Sequence, residues 1–119
     1  MYDKLKDSKT IVLRNIDEYD VFGDGTVVIK ASYGHTPGHQ VLMLNLARTG
    51  RLALVGDLYH YPEERTARTI VPSFEYNREQ SIATRNMIED YVKKVNARMW
   101  IEHDAALHAK MKRSPAFYE

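Results

Sequence analysis

The sequence contains no cysteine among its 119 residues. Disulfides and thiolate metal sites are therefore excluded, and any metal ion must bind to imidazole, carboxylate or water. The net charge is +1, from 17 basic and 16 acidic residues, and this balance gives no electrostatic case for binding nucleic acid or an anionic membrane. The sequence also lacks an apolar signal segment near its start and a hydrophobic run long enough to cross a bilayer. We therefore predict a cytoplasmic protein with no nucleic-acid partner and no membrane partner.

The apolar segments of the sequence predict a layered α/β fold. An apolar content of 44% and a charged content of 28% are typical of globular proteins, and we predict a single domain over residues 1–119. The segments QVLMLNLA and RLALVGD are apolar on both faces, which predicts strands that are covered on both sides. Further strands are predicted, in chain order, at Thr10–Arg14, EYDVF, TVVIKAS and MWIE. The sequence GDG between two of these strands predicts a turn with positive φ.

Two helices follow from capping signals. Asn77, with Gln80 three residues later, predicts the start of a helix whose apolar stripe includes Ile88 and Val92. Asp104 predicts the start of a short second helix near the C-terminal end of the sequence. The chain between them and the earlier strands, residues 58–74, reads as irregular because of Pro62 and Pro72, which interrupt regular structure.

Three polar residues follow predicted strands directly. His35 comes after TVVIKAS, Asp57 after RLALVG, and His103 after MWIE. Side chains at strand ends are where α/β folds bind ligands, and two imidazoles with one carboxylate suit Zn²⁺, Fe²⁺ or Mn²⁺. Such an ion lowers the pKa of bound water toward neutrality. Taken singly, each residue also has an ordinary interpretation, as a polar surface histidine or a turn aspartate.

The loop YGHTPGHQ is interpreted as the support of the first of these histidines. Gly34 and Gly38 allow a tight backbone turn, and Pro37 stiffens it. His35 is then free to face a metal ion. His39 is predicted to hydrogen-bond a neighbouring carboxylate or carbonyl without binding the metal itself.

Taken together, the motifs GHTPGHQ, LVGD and IEHD resemble the metallo-β-lactamase superfamily. The resemblance is greatest to its branch of N-acyl homoserine lactonases and organophosphate hydrolase-like enzymes. It implies an αββα sandwich with two metal ions, usually zinc. It further implies that His35 binds one ion, that Asp57 bridges both ions, and that His103 binds the second.

The resemblance also directs attention to the residues that follow Asp57. Lactonases of this group often have a tyrosine three residues after the bridging aspartate, where it contacts the substrate. This chain has His60 at that position, next to Tyr59. We therefore take His60 or Tyr59 as the candidate that steadies the developing oxyanion.

The H-x-H-x-D-H segment of the superfamily is not found in this sequence, and no pair of its five histidines has H-x-H spacing. The chain thus resembles only the C-terminal half of such an enzyme. Half of a sandwich leaves an apolar sheet face larger than monomers usually expose. We expect self-association, as a homodimer or a higher homo-oligomer, with ligands from two chains meeting across a two-fold axis.

The function predicted from these observations is that of a metal-dependent hydrolase. Its cofactor is expected to be zinc, as one or two ions, with iron or manganese as alternatives, and its substrates lactones, esters or phosphotriesters. In this reading Asp57 holds the metal and orients the attacking water. Two alternatives stay open: a truncated module that keeps the fold without catalysis, and a half-enzyme that needs a separate partner chain.

Overall fold

A computed structural model describes residue 3, residues 6–14 and residues 16–119; the other positions of the predicted single domain lie outside the described residues. The described strands form one five-stranded sheet, in the order β1-β2-β3-β4-β5. Neighbours from β1 to β4 are antiparallel, whereas β5 runs parallel to β4. The elements are β1 (Glu18–Asp20), β2 (Val27–Ala31), β3 (Gln40–Leu46), β4 (Gly50–Leu54), α1 (Arg78–Val95), β5 (Arg98–Trp100) and α2 (Ala105–His108).

The strand predicted at Thr10–Arg14 is wrong. These residues have no regular secondary structure, and the side chains of Ile11 and Val12 are 52% and 64% exposed. A strand needs a neighbouring strand that completes its hydrogen-bond ladder. In the described part of the chain, β1 pairs with β2 only, so this segment does not form a ladder with the outer edge of β1.

The turn predicted at GDG is confirmed. Gly23 and Gly25 have φ values of 75° and 74°. The Asp20 carboxylate accepts hydrogen bonds from both of their backbone N–H groups, at 2.9 and 2.8 Å. This local arrangement joins β1 to β2 with residues that tolerate positive φ.

Both predicted helix starts are confirmed. The Asn77 side chain accepts a hydrogen bond from the Gln80 backbone N–H at 3.0 Å, and α1 ends at Asn96, whose φ of 54° is left-handed. The Asp104 side chain accepts from the Leu107 backbone N–H at 2.9 Å at the start of α2. These caps satisfy backbone groups that have no partner inside the helices.

The core lies between α1 and one face of the sheet. Along β3, Val41 and Met43 face this core, and they pack with Ile88 and Val92 of α1. Because side chains alternate along a strand, Leu42 lies on the opposite face, and the strand register places it between Ile29 of β2 and Leu54 of β4. These three side chains are half-buried. The predicted second apolar face is therefore present.

The C-terminal residues pack near the β5 edge of the sheet. The Tyr118 ring contacts the Trp100 ring edge-on, with 4.8 Å between centroids. The Glu119 carbonyl oxygen accepts backbone hydrogen bonds from Arg48 and Thr49. Among the described residues, no helix has the length and apolar character needed to span a membrane.

Candidate functional site

Asp57 and His103 meet at one edge of the sheet. Because β4 and β5 are parallel, the residues that follow them emerge at the same edge. Asp57 lies in a short 3₁₀ turn, Gly56–Leu58, and His103 follows β5. The distance from His103 Nε2 to Asp57 Oδ1 is 2.8 Å. Both side chains are open to solvent, with 41% and 52% of their surface exposed for Asp57 and His103.

The other carboxylate oxygen of Asp57 faces His35, and 3.5 Å separates Asp57 Oδ2 from His35 Nε2. The structure thus brings together all three residues singled out as metal ligands. Partial burial alone would raise the pKa of the Asp57 carboxyl, but the hydrogen bond with His103 and the nearby His35 imidazole outweigh it and lower the pKa. Asp57 is therefore an anion at neutral pH, as a metal ligand must be.

The loop that carries His35 is fixed against the start of α1. Gly34 has a φ of 139°, and a Cβ atom there would overlap the backbone and side chain of Ser81. The Gly34 carbonyl oxygen accepts the Asn77 backbone N–H at 2.9 Å, and the His35 carbonyl oxygen accepts the Tyr76 N–H at 3.2 Å. Gly38 needs no such freedom, because its φ is not positive and no described atom would touch a Cβ there.

His39 is held by the backbone of its own loop. Its Nδ1 lies 3.0 Å from the Ser32 carbonyl oxygen and 2.6 Å from the Ser32 hydroxyl. Its ring lies edge-on to His35, with 5.8 Å between the centroids. Burial lowers the pKa of His39, so the ring is neutral at pH 7. His39 therefore has a carbonyl partner and contacts His35, and its role as a residue that supports a metal ligand stays a prediction.

His60 is buried beside His35, and their ring centroids are 5.3 Å apart. Neither ring nitrogen of His60 has a hydrogen-bond partner among the described residues. His60 Nδ1 lies 3.7 Å from Glu64 Oε2, and His60 Nε2 lies 3.8 Å from Glu75 Oε1. The Phe74 ring lies edge-on to the His60 ring, at 4.8 Å between centroids.

A buried arginine of α1 holds the segment that carries His60. The Arg85 guanidinium donates to the carbonyl oxygens of Leu58 and Ile70, at 2.8 and 3.0 Å, and to Glu64 Oε2 at 2.8 Å. Glu64 Oε2 in turn accepts the His60 backbone N–H at 3.1 Å. One cation thereby holds both ends of the segment 58–70, between which the only regular element is a short 3₁₀ helix at Pro62–Arg65.

Glu75 is a member of this cluster that the sequence did not indicate. Its side chain is only 1% exposed, Oε2 accepts the Ser81 hydroxyl at 2.6 Å, and Oε1 lies 3.3 Å from His35 Nδ1. Glu75 lies in an irregular segment and belongs to no recognised motif. The only sequence signal that could have indicated it is its position two residues before the helix cap at Asn77. Glu64, which neighbours His60, is not indicated by the sequence either.

Tyr59 lies elsewhere. It is fully buried in the hydrophobic core, and its ring packs against the Arg85 guanidinium at 4.8 Å. Burial, assisted by the nearby Glu89 carboxylate, raises the pKa of the phenol. The structure thus places Tyr59 in the core and His60 beside His35.

The donor set suits a metal ion. One ligand atom from each of His35, His60 and Glu75 lies within 4.8 Å of the other two. Ligand atoms around a tetrahedral Zn²⁺, with bonds of about 2.0–2.1 Å, are roughly 3.4 Å apart. The measured separations of 3.3 Å (His35 to Glu75) and 3.8 Å (His60 to Glu75) are close to that value. Small side-chain adjustments would therefore be enough to bind an ion.

Comparison with known proteins identifies relatives among lactonases. The chain is 31% identical to the N-acyl homoserine lactonase AttM of Rhizobium radiobacter over 102 residues, which are 86% of this chain and 38% of that protein. It is 30% identical to the AttM of Agrobacterium fabrum over the same shares of the two chains. This chain is a homologue of part of the N-acyl homoserine lactonases. No protein-family model matches it.

Solved structures confirm the predicted fold. An N-acyl homoserine lactone hydrolase with the product N-hexanoyl-L-homoserine at its catalytic metal centre superposes with a TM-score of 0.74 at 24% identity, over 86% of this chain and 39% of that one. The dizinc quorum-quenching lactonase AidC gives a TM-score of 0.56 at 22% identity, over 63% of this chain and 26% of that one. The homologue thus spans about two-fifths of the lactonases it matches, with an α/β fold consistent with half of a metallo-β-lactamase sandwich.

Proposed function

We propose that this lactonase homologue is the metal-binding part of a hydrolase that opens lactones, with N-acyl homoserine lactones as the first substrates to test. The observation that supports the proposal is the meeting of His35, Asp57 and His103 at one sheet edge, where each histidine has a ring nitrogen within 3.5 Å of an Asp57 carboxylate oxygen. Its relatives carry the name lactonase. Esters and phosphotriesters belong to the same proposal, because their hydrolysis needs the same polarisation of an oxygen atom.

Each residue of the set has a task in this reaction. A bound Zn²⁺, Fe²⁺ or Mn²⁺ would supply a Lewis acid and make water a better nucleophile. Asp57 would bind with one carboxylate oxygen and orient the attacking water with the other. His103 holds Asp57 through the 2.8 Å contact, and His35 approaches the carboxylate from the opposite side. Phe74 is 65% exposed next to His60 and offers an apolar surface for an acyl chain.

The set is open on its solvent side, because Asp57 and His103 are largely exposed. Metal sites that hydrolyse substrates normally have three protein ligands or more for each ion. We propose that a second copy supplies the remaining groups, in a homodimer that pairs the half-buried sheet faces around Leu42. A separate partner chain that supplies the remaining groups is the alternative.

The test combines metal content with hydrolysis. We expect the purified chain to retain zinc, iron or manganese in near-stoichiometric amount by plasma mass spectrometry, and to open N-hexanoyl homoserine lactone. Asp57→Asn should lower turnover by at least about 100-fold, since it removes a charged ligand. His108→Gln is the matched control, because His108 is exposed in α2 and outside the cluster.

The outcomes separate the alternatives. Metal-free protein without lactone or aryl-ester hydrolysis, in any oligomeric state, would identify a non-catalytic module. Activity that appears only on mixing with the N-terminal half of a lactonase would identify a half-enzyme. The predicted cytoplasmic location is part of the proposal, and fractionation of cells expressing the protein tests it.

A further inference from the structure

We propose that His35, His60 and Glu75 form a second metal site, which binds one Zn²⁺ or a chemically similar ion on the buried side of His35. We call these three residues the inner set, and His35, Asp57 and His103 the outer set. The two sets share only His35. The proposal goes beyond the proposed function and does not depend on it, because it is based on the geometry of three side chains from this one chain.

The first observation is that the His60 ring is buried without hydrogen-bond partners for its nitrogens in the described part of the chain. The His60 side chain is only 10% exposed, yet both ring nitrogens lack a hydrogen-bond partner among the described residues. Buried polar groups without partners are rare, since each loses its hydrogen bonds to water on burial. His60 Nε2 is directed to the space beside Glu75 Oε1, at 3.8 Å, which is too long for a hydrogen bond. An ion between these two atoms would satisfy the nitrogen.

The second observation is the buried carboxylate. Glu75 is 1% exposed, and the structure pairs it with no lysine or arginine among the described residues; its contacts are the Ser81 hydroxyl and the imidazoles of His35 and His60. Buried carboxylates are normally paired with a cation or bound to a metal. The Ser81 hydroxyl occupies Oε2 at 2.6 Å, which leaves Oε1 directed to the two imidazoles.

The third observation is that each imidazole of the inner set has a carboxylate near its other nitrogen, although neither pair forms a hydrogen bond. His35 directs Nδ1 to Glu75 and Nε2 to Asp57 Oδ2, at 3.5 Å. His60 directs Nε2 to Glu75 and Nδ1 to Glu64 Oε2, at 3.7 Å. Metal-bound histidines usually donate the far N–H to a carboxylate, which fixes the tautomer and makes the near nitrogen a better ligand. Asp57 and Glu64 are placed to accept these protons once small shifts shorten the two distances.

The inner set changes the roles of two residues. A neutral imidazole has one lone pair, so His35 binds an ion through one nitrogen at a time. With an inner ion on Nδ1, the Nε2 proton of His35 points to Asp57, and Asp57 and His103 are left for the outer ion. His60 becomes a ligand in place of the predicted oxyanion-stabilising residue. His35, His60 and Glu75 thereby provide three ligands for one ion, although this sequence contains no H-x-H pair.

Metal titration of the chain and three variants tests the proposal. Zn²⁺ affinity is measured by competition with a chromophoric chelator, and Co²⁺ binding by its visible absorption. We expect one tightly bound ion per wild-type chain. His60→Phe and Glu75→Gln should each weaken it by more than the roughly 10–100-fold that loss of an outer partner costs. His103→Gln should leave this ion unchanged, and so should the control His108→Gln.

The result that overturns the inference is the reverse pattern, in which His103→Gln loses the ion and Glu75→Gln keeps it; that pattern leaves the proposed outer set intact. Absence of any bound ion in the wild type overturns the inference as well. An ion that depends on His60 and Glu75 in a protein without hydrolysis would support the inference while contradicting the proposed function.

A second measurement does not depend on the stability of the variants. Long-range ¹H–¹⁵N spectra of the wild-type chain report which ring nitrogen of each histidine binds zinc. We expect zinc to shift Nδ1 of His35 and Nε2 of His60, and to leave His108 unchanged. Shifts confined to His35 Nε2 and His103 would contradict the inner set.

Discussion

Glu75 Oε1 lies 3.3 Å from Nδ1 of His35, although 40 residues separate the two in the chain. Backbone hydrogen bonds create this proximity: the Gly34 and His35 carbonyl oxygens accept the N–H groups of Asn77 and Tyr76. The same contacts place Glu75 next to the start of α1, where Ser81 donates to it. The cluster is therefore positioned by the loop before β3 and by the helix cap together.

Removal of the Arg85 guanidinium should destabilise the fold strongly. Arg85→Met leaves the buried Glu64 carboxylate without its cation and the carbonyl oxygens of Leu58 and Ile70 without their donor. Breaking a buried ion pair from one side costs about 3–5 kcal/mol. Urea unfolding followed by circular dichroism measures this loss. The control Arg48→Gln removes a solvent-exposed ion pair and should cost about 1 kcal/mol or less. Equal losses in both variants would contradict the anchoring role of Arg85.

A methyl group at Gly34 should disturb the His35 loop. Gly34→Ala places a Cβ against Ser81 and requires a φ of 139° from a residue that disfavours it. We expect a loss of about 1–3 kcal/mol in the free energy of unfolding, measured by denaturant titration. Gly38→Ala meets no described atom and has no positive φ, so it should be nearly neutral. A larger effect at Gly38 than at Gly34 would show that the loop is built differently.

Glu89 should contribute to acid sensitivity. Burial by itself would raise its pKa, but two hydrogen bonds from Arg65, at 2.7 and 2.9 Å, outweigh burial and lower the pKa. A carboxyl with a lowered pKa stabilises the fold above its unfolded pKa and loses that stabilisation as the pH falls through the folded value. Glu89→Gln should therefore be less stable than wild type at neutral pH, by about 1 kcal/mol because Arg65 is partly exposed. The difference should shrink below about pH 4.3.

Urea midpoints measured at several pH values test this expectation for Glu89. Glu63→Gln changes an exposed carboxylate and serves as the control. A difference between wild type and Glu89→Gln that grows on acidification would have the wrong sign for a carboxyl whose pKa is lowered.

The apolar sheet face should mediate the proposed self-association. Leu42→Lys places a charge at the middle of the face opposite α1, between Ile29 and Leu54. We expect size-exclusion chromatography with light scattering to show a dimer for the wild type at micromolar concentration and a monomer for this variant. Met87→Lys, an equally drastic change at an exposed position of α1, should remain dimeric. A wild type that stays monomeric would refute the dimer.

His60 and Glu75, two members of the inner set, differ in how clearly the sequence indicates them. His60 is found by its place after Asp57, once the motifs are recognised. Glu75 is not, because no local pattern marks a glutamate that becomes buried through contacts with a distant loop. Thr10–Arg14 shows the opposite error: its residues favour a strand, but strand formation depends on a ladder of hydrogen bonds with a neighbour, and this segment forms none with the described strands.

The sequence by itself determined the local features of this protein. These features are the caps at Asn77 and Asp104, the glycine turn after β1 and the polar residues at strand ends. Each depends on neighbours within a few residues, so the sequence alone can predict it. Only the tertiary structure decided that Glu75 approaches His35 and that Tyr59 is buried in the core. The hydrogen bonds between the His35 loop and residues 76 and 77, and the packing of α1 on the sheet, set these positions. Such long-range contacts leave no periodic trace in the sequence.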